Sequence, residues 1–215
     1  MAEKYTSLES TRREKVDRLR EAGIEPYPTR AQRSHTTQQV IEEFESAEAA
    51  ASEEPVAATL VGRLRSMRPM GKITFAHIED GYGRVQIFLR ANDLGKERLA
   101  LFNREFDLGD FIQVNGEMFR TRSGEATLKV ADFTMRSKAI TPLPAGKDEL
   151  LDGESVQHAT LTDPELRYRQ RYADLAVNPH VRDIFHTRAA IVRALREFLD
   201  GHDFLEVETP VLQPI

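Results

Sequence analysis

The chain has 215 residues, enough for one large domain or two small ones. With 40% hydrophobic and 30% charged residues, and no run near the roughly 18 apolar residues of a spanning helix, it reads as a chain that folds in water with no membrane partner. Cysteine is absent, which removes disulfides, thiol catalysis and zinc ribbons and suits a cytoplasmic, reducing location. Tryptophan is absent too, so phenylalanine and tyrosine carry any ring stacking. The net charge of -5 conceals a division: -4 over residues 1–55, +3 over 56–137 and -4 over 138–215. Only the middle segment is positive, which marks it for a polyanion contact, although a surplus of three is also ordinary scatter.

The opening MAEKYTSLESTRREK is polar and carries no apolar stretch, so it is not expected to be a secretory signal. Thr6 and Glu9 have capping-box spacing, Leu8, Val16 and Leu19 recur near a helical period, and Gly23 supplies a stop. Pro26 and Pro28 then force extended chain, and a second short helix is expected over Thr37–Ala47. The small, acidic AEAAASEEP that follows reads as a linker ending at Pro55. Residues 1–55 thus form a helical extension and linker.

From Val56 the hydrophobic period changes to two. Val56–Arg65, Lys72–Glu79 and Arg84–Leu89 read as strands, with Gly81 and Gly83 in the last turn. Asn92–Phe106 is a helical interruption, and Phe111–Arg120 and Glu125–Arg136 follow as a hairpin turning at Ser123 and Gly124. Three strands, a helix and two strands over 56–137 is the order of a five-stranded OB-fold barrel, which commonly binds oligonucleotides. Another small β-barrel or an α+β meander gives a similar pattern. Residues 138–162 read as a connector. Pro164–Leu175 is expected as a helix rich in Arg and Tyr, Val181–Leu199 as a long amphipathic helix ended by Gly201, and Phe204–Val207 as a short strand halted by Pro210. Residues 163–215 look like the opening of a further domain, because the apolar stripe has too little chain to cover it.

Spacing alone offers no catalytic centre. The six histidines form no i, i+4 pair and have no thiol co-ligand, so no metal site is expected. Neither dinucleotide nor P-loop glycine motifs occur, and the Gly and Lys of Met70–Lys72 are too few for a phosphate cradle. The barrel surface says more. With Val85, Ile87 and Leu89 inward, Arg84, Gln86 and Phe88 face outward. The second strand can be read either way; with Ala76 and Ile78 inward, Ile73, Phe75 and His77 line the outer surface. An outward Phe75 beside an outward Gln86 makes a base-sized slot, a stacking face next to an amide that reads a base edge. Arg68 and Lys72 lie at its mouth. Core packing for Phe75, a solvated strand position for Gln86 and loop solubility for Arg68 and Lys72 are the plain alternatives.

GKITFAHIEDGYGRVQIFL, DLGDFIQVNGEMFRTRSGEATLKV, LTDPELRYRQRYADL and FLEVETPVLQPI occur in that order. Together they resemble bacterial class II lysyl-tRNA synthetases, from EAGIEPYP to the last residue. RYRQRYADL separates the lysine enzymes from their aspartate and asparagine relatives, whereas EVETP is shared across class II. The resemblance implies that the barrel grips the uridine-rich anticodon of lysine tRNA. It matches Phe75 to the family's stacking aromatic, Gln86 to the glutamine of the next strand, Arg68 to the arginine before MGK, and Glu125 to the glutamate of the SGE turn. Lys72 gains only a general electrostatic role. Val181–Leu199, Phe204–Val207 and Pro210 resemble class II motif one, which builds a homodimer interface. Arg167, Arg169 and Arg171 can reach RNA or pair with nearby acids. Motifs two and three, which hold ATP and magnesium in the full-length enzyme, are expected beyond Ile215, so this stretch alone is expected to need no cofactor and to be inactive. A stand-alone tRNA-binding module and a dimerising regulatory piece are the other readings.

Overall fold

The computed structural model describes residues 6–144, 148–151, 154–157 and 161–210. The chain divides into two compact units, Met1–Pro142 and Leu143–Ile215.

In the first unit, α1 (Ser7–Glu21) begins at the expected capping box, with Thr6 N–H donating to Glu9 and Glu9 N–H to the Thr6 hydroxyl. Val16 and Leu19 are buried, but Leu8 is half exposed. Arg12 completes the buried face in its place. Its guanidinium donates to the carbonyls of Ala139 at 2.8 Å and Leu108 at 3.1 Å, so an arginine stem covers apolar surface where an aliphatic side chain was expected. The second helix, α2 (Thr37–Ala49), is capped by Thr36 and Gln39 and runs two residues past its expected end. Only the first three residues of the presumed linker, Ala47–Ala49, are helix, as alanine and glutamate favour.

Five strands close a barrel in the order β1-β2-β3-β5-β4. They are β1 (Ala57–Met70), β2 (Ile73–Glu79), β3 (Arg84–Arg90), β4 (Phe111–Arg120) and β5 (Ala126–Ser137). The OB-type order is the expected one. β1 runs five residues past its expected end because it serves both sides of the closure: Ala57–Arg63 pairs with β4 and Arg63–Met70 with β2. A bulge at Arg65 bends the strand between the two partners. Gly71, at φ +64°, turns the chain straight into β2, so the MGK stretch is a hairpin turn. Leu60, Leu64, Ile78, Ile87, Leu89, Ile112 and Leu128 fill the interior with no exposed surface.

The helical interruption is two helices, α3 (Ala91–Leu94) and α4 (Lys96–Glu105), separated by Gly95 at φ +89°. Leu99 and Phe102 of α4 are buried, and Phe102, Phe106 and Phe133 form an aromatic trio with centroids 4.9–5.3 Å apart. Beside it lies an ionic cluster. Lys138, fully buried, donates to Asp110 at 2.7 Å, Asp107 at 2.6 Å and the Glu105 carbonyl at 2.8 Å. Lys15 of α1 adds a second ammonium to Asp107 at 2.6 Å, and Arg18 pairs with Glu105 at 3.2 Å. The first helix is thus tied to the barrel by charge as well as by Val16 and Leu19.

In the second unit a hairpin, β6 (Asp148–Leu151) with β7 (Glu154–Gln157), lies inside the stretch expected as plain connector. The helix expected over Pro164–Leu175 is two, α5 (Pro164–Arg169) and α6 (Arg171–Val177), broken at Gln170. The break lets Arg167 and Arg171 both reach Asp174, which is fully buried and also accepts from Asn178 at 2.7 Å. Arg169 pairs with Glu165 at 2.9 Å, so all three arginines meet acids. The long helix α7 (Pro179–Asp200) ends at Gly201 as expected and buries only Val181. The strand expected at Phe204–Val207 is irregular chain: no described strand pairs with it, and without a ladder partner an extended segment is not a strand. Pro210 is exposed, and residues 211–215 lie outside the described residues.

Candidate nucleic-acid interface

Register places the outward side chains of four strands in two adjacent rungs. One rung runs Arg68, Phe75, Phe88, Lys129 across β1, β2, β3 and β5; the next runs Ser66, His77, Gln86, Thr127. Directly opposite residues share a face, so the barrel presents an aromatic rung beside a polar one. The strand alternation explains it. Ala76, Ile78, Val85, Ile87 and Leu89 are buried, leaving Phe75, His77, Gln86 and Phe88 partly exposed on the outer surface. The ambiguity on the second strand resolves in favour of an outward Phe75.

Phe75 and Phe88 lie 4.9 Å apart, tilted by 39°, and Phe119 of β4 meets Phe88 edge-on at 5.8 Å. The Phe75 slot is therefore one end of a three-ring row. The polar rung is a connected hydrogen-bond chain. Gln86 Nε2 donates to one oxygen of Glu125 at 2.5 Å, and His77 Nε2 meets the other at 3.0 Å. Thr127 Oγ1 lies 2.9 Å from Gln86 Oε1 and 3.1 Å from the Glu125 carbonyl and shares its proton between them. At the far end, Ser66 Oγ lies 2.8 Å from His77 Nδ1 and accepts from Arg84 at 3.3 Å. Burial holds the His77 imidazole below its usual range, assisted by Arg84 and Arg68 and opposed by the hydrogen bond to Glu125.

Four of the expected positions, Arg68, Phe75, Gln86 and Glu125, thus gather on one face. Arg68 is exposed beside Phe75, and Lys72 is exposed at the hairpin turn one residue before β2. Pro210 belongs to the second unit. Sequence reasoning listed His77 and Phe88 as outward without giving them work, and passed over Ser66, Thr127 and Phe119. The first two carried an alternation signal; Ser66 depends on the bulge that sets the β1–β2 register, and Thr127 and Phe119 on β3–β5 and β4–β5 pairings that no local pattern reveals. Chemically, the face offers a flat apolar wall next to amide, carboxylate and guanidinium groups, which suits a planar heterocycle with a hydrogen-bonding edge. Among the described residues no group of three or more His, Asp or Glu side chains is placed to hold a metal ion.

The sequence comparisons agree with this geometry. Residues 58–136 match the model of the OB-fold nucleic acid binding domain, and residues 163–215 match the class II tRNA synthetases of the D, K and N group. The first unit's barrel and the helical segment that follows therefore define a class II synthetase architecture with an OB-fold nucleic-acid-binding module. Lysine–tRNA ligase from Pelotomaculum thermopropionicum is 48% identical over 213 residues, covering 99% of this chain and 38% of that protein. The enzymes of Roseiflexus castenholzii and Clostridium novyi are 45% and 42% identical, over 97% and 98% of this chain and 40% and 38% of theirs. Over the length it shares with them, the chain is similar to these bacterial lysine–tRNA ligases. It spans about two-fifths of the length of the curated relatives it matches.

Proposed function

We propose that the barrel binds the anticodon loop of a lysine tRNA, and that the chain is the N-terminal part of a cytoplasmic lysine–tRNA ligase. The observation that carries this reading is the pairing of the Phe75–Phe88 wall with the Gln86–Glu125 polar edge on one outward face. A uracil edge presents an N3–H donor between two carbonyl acceptors. A carboxylate accepts the N3–H, while amide and guanidinium N–H groups donate to the carbonyls, so Glu125, Gln86 and Arg68 match it group for group. Cytosine turns an N3 lone pair toward the same carboxylate, and that repulsion separates the two pyrimidines. Phe75 supplies stacking that any base can use, and Lys72 adds positive charge for phosphate.

The whole enzyme would activate lysine with ATP in the presence of magnesium, pass the lysyl group to tRNA, and work as a homodimer through α7. The residues present here do not fit ATP or magnesium, and residues 1–215 alone carry no transfer activity; ATP-dependent lysyl transfer by the purified chain would overturn that statement. The binding claim is tested by titrating the chain with a UUU anticodon stem-loop and its central-cytosine variant at two salt concentrations. The expected result is a preference of about tenfold or more for UUU, equivalent to about 1.4 kcal/mol, at both salt levels. Equal affinity for the two loops rejects base reading by this face.

A further inference from the structure

We infer that His77 is a positioning residue for base discrimination, holding the Glu125 carboxylate at the edge of the stacking wall as an N–H donor. The inference rests on the reading of this face as an anticodon site, and it adds a residue that the base itself need not touch. Glu125 sits at the start of β5, after the Thr121–Gly124 turn, and its side chain is 45% exposed. A carboxylate there has many rotamers, and reading one base edge requires one of them. Two groups reduce the choice. Gln86 holds one oxygen and His77 the other.

The carboxylate fixes the proton on the side of the imidazole that faces it. It only accepts, so the nitrogen facing it, Nε2, carries the hydrogen. At the opposite end Ser66 Oγ accepts from Arg84 and can turn its own proton to Nδ1, which suits the Nε2–H tautomer. The shared Thr127 proton likewise turns the Gln86 carbonyl away from Glu125 and its amide toward it. Arg84 and Arg68 are the cations that face the imidazole and Glu125 its anion. A neutral donor, rather than a full cation, steers the carboxylate while leaving its charge to meet the base.

The test has an RNA-free arm and an RNA arm. In the free protein, 15N imidazole spectra should show His77 as the Nε2–H tautomer, with mixing of the two tautomers in Glu125→Ala. An Nδ1–H tautomer, or no response to Glu125→Ala, overturns the inference whatever the RNA result. In the RNA arm, His77→Leu should lower the preference for UUU over its central-cytosine variant by about threefold to tenfold, the loss of one hydrogen bond to a charged group. Affinity for the cytosine loop should be unchanged, and His77→Gln, which keeps an N–H donor, should restore most of the preference. A packing role alone would weaken both loops alike and would not be rescued by glutamine, which overturns the inference. Indifference of the wild-type protein to the two loops overturns the anticodon reading and the inference together; discrimination that survives His77→Leu overturns only the inference.

Discussion

Phe75 is where a single side chain is expected to do the most for binding, because its ring ends the aromatic row opposite the exposed Arg68. Phe75→Ala should cost about 1–3 kcal/mol of stem-loop affinity, lost equally from UUU and cytosine-substituted loops, since stacking ignores base identity. Gln86→Ala and Glu125→Ala should do the reverse and narrow the gap between the loops. Arg68→Ala distinguishes two roles: if its contact is to phosphate, the slope of log affinity against log salt falls by nearly one. Calorimetric titration across a salt series measures all of these. Which of these residues could be found from sequence follows from how local their signals are. Phe75 and Gln86 announce themselves by strand alternation around Ala76, Ile78, Val85 and Ile87. Arg68 was placed at the slot's mouth by position, Glu125 came from resemblance alone, and Ser66 and Thr127 gave no sign, because each acts through a partner on another strand.

At the scale of elements, two of the contacts that join the N-terminal helices to the barrel centre on buried carboxylates. Asp80, in the turn between β2 and β3, accepts from Thr37 N and Oγ1 at the start of α2 and from the N–H groups of Tyr82 and Gly83. Burial raises its carboxyl, but these four hydrogen bonds outweigh it and hold the group below the usual carboxylate range. Because the folded value is depressed, the unfolded chain binds more protons, so the stabilisation is complete above the ordinary aspartate value near about 3.9 and fades as pH falls through the folded one. Asp80→Ala should therefore cost about 1–3 kcal/mol at pH 7, and its difference from wild type should shrink below about pH 4 in denaturant titrations. The second contact is the Lys138 cluster. Lys138→Met leaves Asp110 fully buried without its ammonium and should cost about 3–5 kcal/mol; adding Asp110→Asn should recover much of the loss by removing the stranded charge. Element types were legible from hydrophobic period and capping boxes. The length of β1 and the split at Gln170 were not: β1 answers to both of its partners in the barrel, and the split lets Arg167 and Arg171 meet Asp174.

Across the whole molecule, the charge division and the change of hydrophobic period located the barrel, while the second unit was less legible. Its hairpin carried no recognised signal, and its expected strand has no described partner. One feature was legible from the start, the stripe on α7. Ile184, Ile191, Leu195 and Phe198 recur at helical spacing, and each is more than half exposed in this chain. A run of large apolar side chains on one face is an association surface, since covering it removes apolar area from water at about 25 cal/mol per Å². If α7 is the homodimer element proposed above, the purified chain should self-associate, its mass by light scattering falling toward 24.4 kDa on dilution. Ile191→Glu combined with Leu195→Glu places two carboxylates one turn apart in the middle of that face. The double variant should remain at the single-chain mass at every concentration and keep the stem-loop affinity of wild type, because the barrel's binding face lies in the other compact unit. A wild-type chain that is monomeric at all concentrations would remove α7 as a pairing surface, and a double variant that lost RNA affinity as well would show that pairing and anticodon binding depend on one another.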